Sequence, residues 1–101
     1  EFMLSKNDIV KTIQENMEEI KSYGIEKIGI FGSVATASQT EQSDIDILVE
    51  FQKDKKAFDN YMELKFFLEK LFNRKVDLVI EGALKSRIRD SVLREVSYAR
   101  L

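Results

Sequence analysis

The chain has 101 residues, with 16 Lys and Arg against 18 Asp and Glu and a net charge of -2. This length allows one small domain with one core, and the near-balance of charge gives no overall basic surface for nucleic acid. There is no Cys and no His, which excludes a disulfide framework, thiolate or imidazole zinc sites and Ser-His-Asp catalysis.

A bound metal must therefore be a hard cation held by oxygen, and a general base must be a carboxylate or water. No apolar run approaches the ~20 residues of a membrane span, and no signal-peptide pattern opens the chain. A cytoplasmic protein is the default expectation. Glu1 and Phe2 precede Met3 and are set aside as a remnant, so a single domain is expected over residues 3–101.

Ser5 followed by Asp8 marks a helix start, a hydroxyl cap with an acidic residue three positions on. Ile9, Ile13, Met17 and Ile20 recur at helical spacing, and Gly24 is placed to end that helix. Ile25, Ile28, Ile30 and Phe31 lie between Gly24 and Gly32 and predict a strand buried on both faces. Residues 32–43 are small and polar, either a loop or a short helix beginning at Ser33. Ile45, Ile47 and Val49 alternate with Asp44, Asp46 and Leu48 in a second strand. After a charged turn at Gln52–Lys56, Ala57, Tyr61, Leu64, Leu68 and Leu71 form one helical stripe, widened by Phe58, Phe67 and Phe72. Val76, Leu78, Val79 and Ile80 predict a third strand with Asp77 inside it. A last helix is expected from about Leu84 to about Tyr98, with Leu84, Ile88, Val92 and Val96 on one side. This order predicts an α/β fold, a small sheet with helices packed on it.

Three features carry chemistry. Gly32 lets backbone approach a ligand closely, free N–H groups at a helix start favour an anion, and the Ser33 hydroxyl can donate to a phosphate oxygen. A Gly turn with a Ser cap has the same appearance. Asp44 and Asp46, two residues apart on a strand, share a face with Cα atoms ~6.5–7 Å apart. Their repulsion is costly unless a divalent cation lies between them or they stand on a solvent-facing edge. Asp77, between Val76 and Leu78, must be exposed, paired (with Lys75 or Arg74) or metal-bound. Together these features suit a two-metal phosphoryl-transfer site, with one metal on a triphosphate and the other lowering the pKa of an attacking hydroxyl. Asp77 would serve on the attacking side, as ligand or base. Such chemistry needs positioning and charge neutralisation rather than a histidine.

Two further features are noted. Lys85, Arg87, Arg89, Arg94 and Arg100 make the last helix basic, either as a solvated face or as a contact for acidic groups. Phe66, next to Phe67, is the aromatic expected to be exposed and available to a partner.

Gly32-Ser33 followed by Ser43-Asp44-Ile45-Asp46-Ile47-Leu48-Val49 resembles the signature of the minimal nucleotidyltransferases of the DNA polymerase beta-like superfamily. The order of elements, the Asp77 strand and Leu93-Arg94-Glu95-Val96 also fit that family. The resemblance implies a small mixed sheet of the nucleotidyltransferase type. It implies two Mg²⁺ ions with ATP, and transfer of AMP to a hydroxyl, typically of Tyr, on a small helical HEPN-type toxin that the enzyme serves as antitoxin. Asp44, Asp46 and Asp77 would be the catalytic metal ligands, and Gly32, Ser33 and Ser43 would bind nucleotide. Neither a membrane nor a nucleic-acid partner is expected, and a homo-oligomer is left open. The family turn reads Gly-Ser-x-Ala-Arg-Gly. Here Ala35 matches, Thr36 replaces Arg and Ala37 replaces the second Gly. Those departures motivate two alternatives: a catalytically weak member that neutralises its partner by binding alone, or a nucleotidyltransferase acting on RNA or a small molecule.

Overall fold

Ser5 starts the first helix as the sequence predicts. Its Oγ accepts the Asp8 N–H and the Asp8 carboxylate accepts the Ser5 N–H, each at 3.1 Å, so two orphan amides of the helix end are satisfied reciprocally. The structure is a computed structural model, and it describes residues 5–36, 44–55 and 58–99. The one helix expected up to Gly24 is instead two, α1 (Lys6–Glu15) and α2 (Met17–Lys21). The break falls at Asn16, whose Nδ2 donates to the Thr12 carbonyl at 2.8 Å and so competes with the backbone for a helical acceptor. Ile9, Ile13, Met17 and Ile20 still share one buried face across the break. Gly24, at φ +87°, reverses the chain into β1 (Ile25–Phe31).

The remaining elements follow in order: α3 (Gly32–Ala35), β2 (Ile45–Phe51), α4 (Phe58–Phe72), β3 (Val76–Ile80), a 3₁₀ turn at Glu81–Ala83, α5 (Ser86–Glu95) and β4 (Ser97–Tyr98). The sheet order is β3-β2-β1-β4. β1 runs antiparallel to β2 and to β4, and β2 runs parallel to β3. This is the small mixed sheet that the sequence resemblance implies. Among the described residues no helix is long and apolar enough to cross a membrane.

Period-two alternation gives the sheet two unlike faces. Ile28 and Ile30, then Ile45, Ile47, Val49 and Phe51, then Val76 and Leu78, join Ile9, Ile13, Ile20, Leu64 and Leu68 in the core. The opposite face carries three rows set by register. Phe31, Asp46 and Asp77 make the first, Gly29, Leu48 and Val79 the second, and Lys27 and Glu50 stand in the third. Only the middle of β1, Ile28 to Ile30, is buried on both faces; Glu26 and Lys27 are exposed.

Three expectations about the helices are corrected. Phe58 does not widen the core stripe of α4; it is 74% exposed, in company with Phe66 at 59%. It sits four and eight residues before Met62 and Phe66, on the side turned away from Leu64 and Leu68. The last helix does not reach Tyr98. It ends at Glu95, Val96 is extended, and Ser97–Tyr98 pair with Gly29 and Ile30 of β1. Helical spacing also promised α5 a core stripe, yet α5 has no fully buried residue and Ile88 is largely exposed. Gly29 is what admits β4. A Cβ there would stand 2.8 Å from Val96 Cγ2 and 2.9 Å from both Ser97 O and Tyr98 Cδ1, closer than real carbon contacts allow.

Candidate active site

The first row of that face, Phe31, Asp46 and Asp77, is the candidate site. β1 delivers Phe31 to the sheet edge, and the chain turns at once into α3. Gly32 takes φ +75°, a left-handed conformation that side chains with a Cβ resist. Space demands glycine as well. A Cβ at position 32 would overlap Asp46 Oδ2 and lie 2.8 Å from its Cγ. The turn and the aspartate are thus in direct contact, which the sequence spacing does not show.

β2 and β3 supply the carboxylates. Asp46 pairs across the parallel ladder with Asp77, so the two lie on neighbouring strands, side by side, on one face. Asp44 immediately precedes β2 and is exposed; the Ile45 N–H beside it donates to Lys75 O at 3.0 Å, anchoring this entry to the β3 approach. Burial holds the Asp46 carboxyl above its ordinary range. The charges of Asp77 and Asp44 push it further up, the Ser33 backbone N–H works against them, and Glu95 adds a smaller upward push. Among the described residues no Lys or Arg forms an ion pair with these aspartates; the ion pair present is Lys27–Glu81 at 3.6 Å, in the third row of the same face.

The sequence-based expectation for the turn needs correction. The first amide of α3 is not free for an anion: Gly32 N–H donates to Glu95 Oε1 at 2.8 Å. Glu95 is a member of the site that sequence reasoning did not single out as one. Thr36, in the position where the family turn has Arg, bends its hydroxyl back into α3: Oγ1 donates to Gly32 O at 3.1 Å and to Ser33 O at 3.4 Å. Ala37 and Ser43 lie outside the described residues.

The donor set fits a hard divalent cation. All candidate ligands are carboxylate oxygens, Asp46 and Asp77 are neighbours, and Asp46 carries a charge that its surroundings disfavour. Among the described residues no three acidic groups are gathered closely enough to enclose an ion alone. That is the arrangement Mg²⁺ tolerates, since it takes one or two carboxylates and completes its shell with water and substrate phosphates.

Comparison with known proteins agrees with this geometry. Residues 10–99 match the nucleotidyltransferase domain family. The chain is 38% identical to protein adenylyltransferase MntA of Thermococcus cleftensis over 97 residues, which is 95% of this chain and 97% of the relative. Among solved structures it resembles a minimal nucleotidyltransferase at TM-score 0.71 and 35% identity, over 87% of this chain and 93% of that one. It also resembles a toxin–antitoxin structure solved with AMP-PNP, at TM-score 0.68 and 26% identity, over 96% of this chain and 73% of that one. At 19% identity and TM-score 0.64, over 90% of this chain and 71% of the other, the same fold recurs in the complex of a tri-AMPylated HEPN toxin from Shewanella oneidensis with its MNT antitoxin. A sheet that sets Asp46 beside Asp77 under a Gly-Ser turn, in a sequence matched along nearly its whole length, places the chain in the nucleotidyltransferase family, as a nucleotidyltransferase of the minimal, MntA-like kind.

Proposed function

We propose that this nucleotidyltransferase moves AMP from ATP to a hydroxyl of a HEPN-type toxin partner, a Tyr side chain, and thereby acts as its antitoxin. The observation that carries the reading is the contact of Gly32 with Asp46, itself the ladder neighbour of Asp77. It joins the turn and the carboxylates into one site at the sheet edge. The named function of the MntA relative and the AMP-PNP in a structural neighbour support the nucleotide and the class of acceptor.

Asp44, Asp46 and Asp77 would hold Mg²⁺ together with the nucleotide phosphates. The metal, when bound, supplies charge neutralisation on the phosphates and lowers the pKa of the acceptor hydroxyl. The chain's own residues do the positioning. Gly32 lets α3 begin against that carboxylate without a side chain between them. Asp77 stands on the outer strand, the exposed side of the pair, where an acceptor hydroxyl can approach, and it serves there as ligand or as the group that takes the proton. Ser43 is assigned to the nucleotide on the family signature alone.

The test is direct. The chain is purified with the product of its neighbouring reading frame and incubated with ATP and Mg²⁺. Intact mass should show the partner gaining AMP-sized increments. Asp44→Asn and Asp46→Asn should each stop the gain while the complex still forms. A partner neutralised equally well by those variants, with no mass increment in wild type, would establish neutralisation by binding alone instead.

A further inference from the structure

Glu95 has no part in the reading above, yet it touches the turn. It is the last residue of α5, 63 positions from Gly32, and its partly buried carboxylate accepts Gly32 N–H at 2.8 Å. The residue that carries this amide is Gly32, which has no Cβ to restrict it. If the Gly32 N–H were released, its peptide could rotate. Gly32 Cα also packs against the Asp46 carboxylate, so the same rotation would move a wall of the site. α5 is poorly anchored elsewhere, having no fully buried side chain, and this charge-assisted hydrogen bond is stronger than a neutral one.

We propose that Glu95 is a positioning residue of the nucleotidyl-transfer site: through Gly32 N–H it fixes the turn whose backbone packs against the Asp46 carboxylate, and so sets the carboxylate that faces metal and nucleotide. This rests on the function proposed above. Glu95 reaches the turn through backbone, by the Gly32 N–H. What it must supply is therefore an acceptor oxygen in the right place, and its charge is secondary. A glutamine supplies that oxygen and an alanine does not.

The test uses the full chain as wild type, Glu95→Gln and Glu95→Ala, with Asp46→Asn as reference. Mn²⁺ binding in the presence of AMP-PNP is followed by electron paramagnetic resonance, and single-turnover AMP transfer is measured alongside. Glu95→Ala should weaken Mn²⁺ binding about 10–100-fold, the range for loss of a group that orients a metal ligand. It should slow transfer in step, and Gly32 N–H should exchange faster with solvent. Glu95→Gln should restore Mn²⁺ affinity to within about threefold of wild type, since a neutral acceptor keeps about half the strength of a charged one. Wild-type Mn²⁺ affinity in Glu95→Ala would overturn the proposal. So would a Glu95→Gln variant as impaired as Glu95→Ala, because the charge would then matter rather than the hydrogen bond. Unchanged transfer in Asp46→Asn would refute the functional reading separately, through a variant that leaves Glu95 intact.

Discussion

Replacing Asp46 by Asn should raise the melting temperature of the metal-free protein while abolishing transfer. Asp46 and Asp77 are ladder partners on adjacent strands, which lie about 4.8 Å apart. At that spacing two full charges repel by ~1–3 kcal/mol for an effective dielectric between that of a protein surface and that of water. Partial exposure and salt bring the value to the lower end, about 1 kcal/mol. Asn keeps the size of Asp and an acceptor oxygen, so the main losses are the repulsion and the burial penalty of the charge. For a domain of this size 1 kcal/mol corresponds to about 4–8 °C. The sign of the pH dependence follows from the raised carboxyl. The folded state holds its proton to higher pH than the unfolded chain does. The ionised form is thus a penalty present above the folded pKa, and it is relieved as pH falls through that value. The advantage of Asp46→Asn, read by differential scanning calorimetry in EDTA, should be full near neutral pH and shrink on acidification towards about pH 4. Saturating Mg²⁺ with AMP-PNP should reverse the order, because only wild type gains binding energy. A variant less stable than wild type in EDTA at neutral pH, or a gap that widens on acidification, would refute the reasoning.

Three other outcomes follow from the same structure. Gly32→Ala combines a left-handed φ with overlap on Asp46 and should cost about 1–3 kcal/mol, read by urea denaturation, with loss of AMP transfer; a soluble variant of unchanged midpoint and activity would contradict the contact. Ser5→Ala removes one half of the capping box and should cost about 0.5–2 kcal/mol with transfer rates unaltered. Leu68→Ala, fully buried in α4, should cost about 2–5 kcal/mol, whereas Phe66→Ala, largely exposed, should stay within about 0.5 kcal/mol; equal losses at the two positions would contradict the orientation of α4.

Much of this was legible in the sequence because it was local. The capping box needs only residues 5 to 8. The strands β1, β2 and β3 announce themselves by β-branched runs, and the Asp-x-Asp strand by alternation. What escaped depends on partners distant in sequence. Val96 follows Val92 at helical spacing, and nothing nearby shows that Gly29 leaves room for Ser97 and Tyr98 as a strand. Phe58 looks like core by composition, but six residues before Leu64 it lies about 120° round α4 from that core position. The sequence presents the Gly-Ser turn as a free anion cradle, but the acceptor of the Gly32 N–H arrives from a distant element, Glu95 of α5.

The division of the sheet into unlike faces explains how such a site is carried on so small a chain. In β2, Ile45, Ile47 and Val49 face the core while Asp46 and Leu48 face the other way. The repulsive carboxylates are therefore confined to one end of a face that the core does not use. Their cost stays local to that end, where the nearby charge of Glu95 adds to it. Substitutions at the aspartates can then change charge without opening a cavity, whereas Ile47→Ala on the same strand removes core volume. The two classes should separate cleanly in experiment. Neutralising Asp46 should give a folded, inactive and slightly more stable protein, and truncating Ile47 a destabilised one whose remaining folded fraction still transfers AMP.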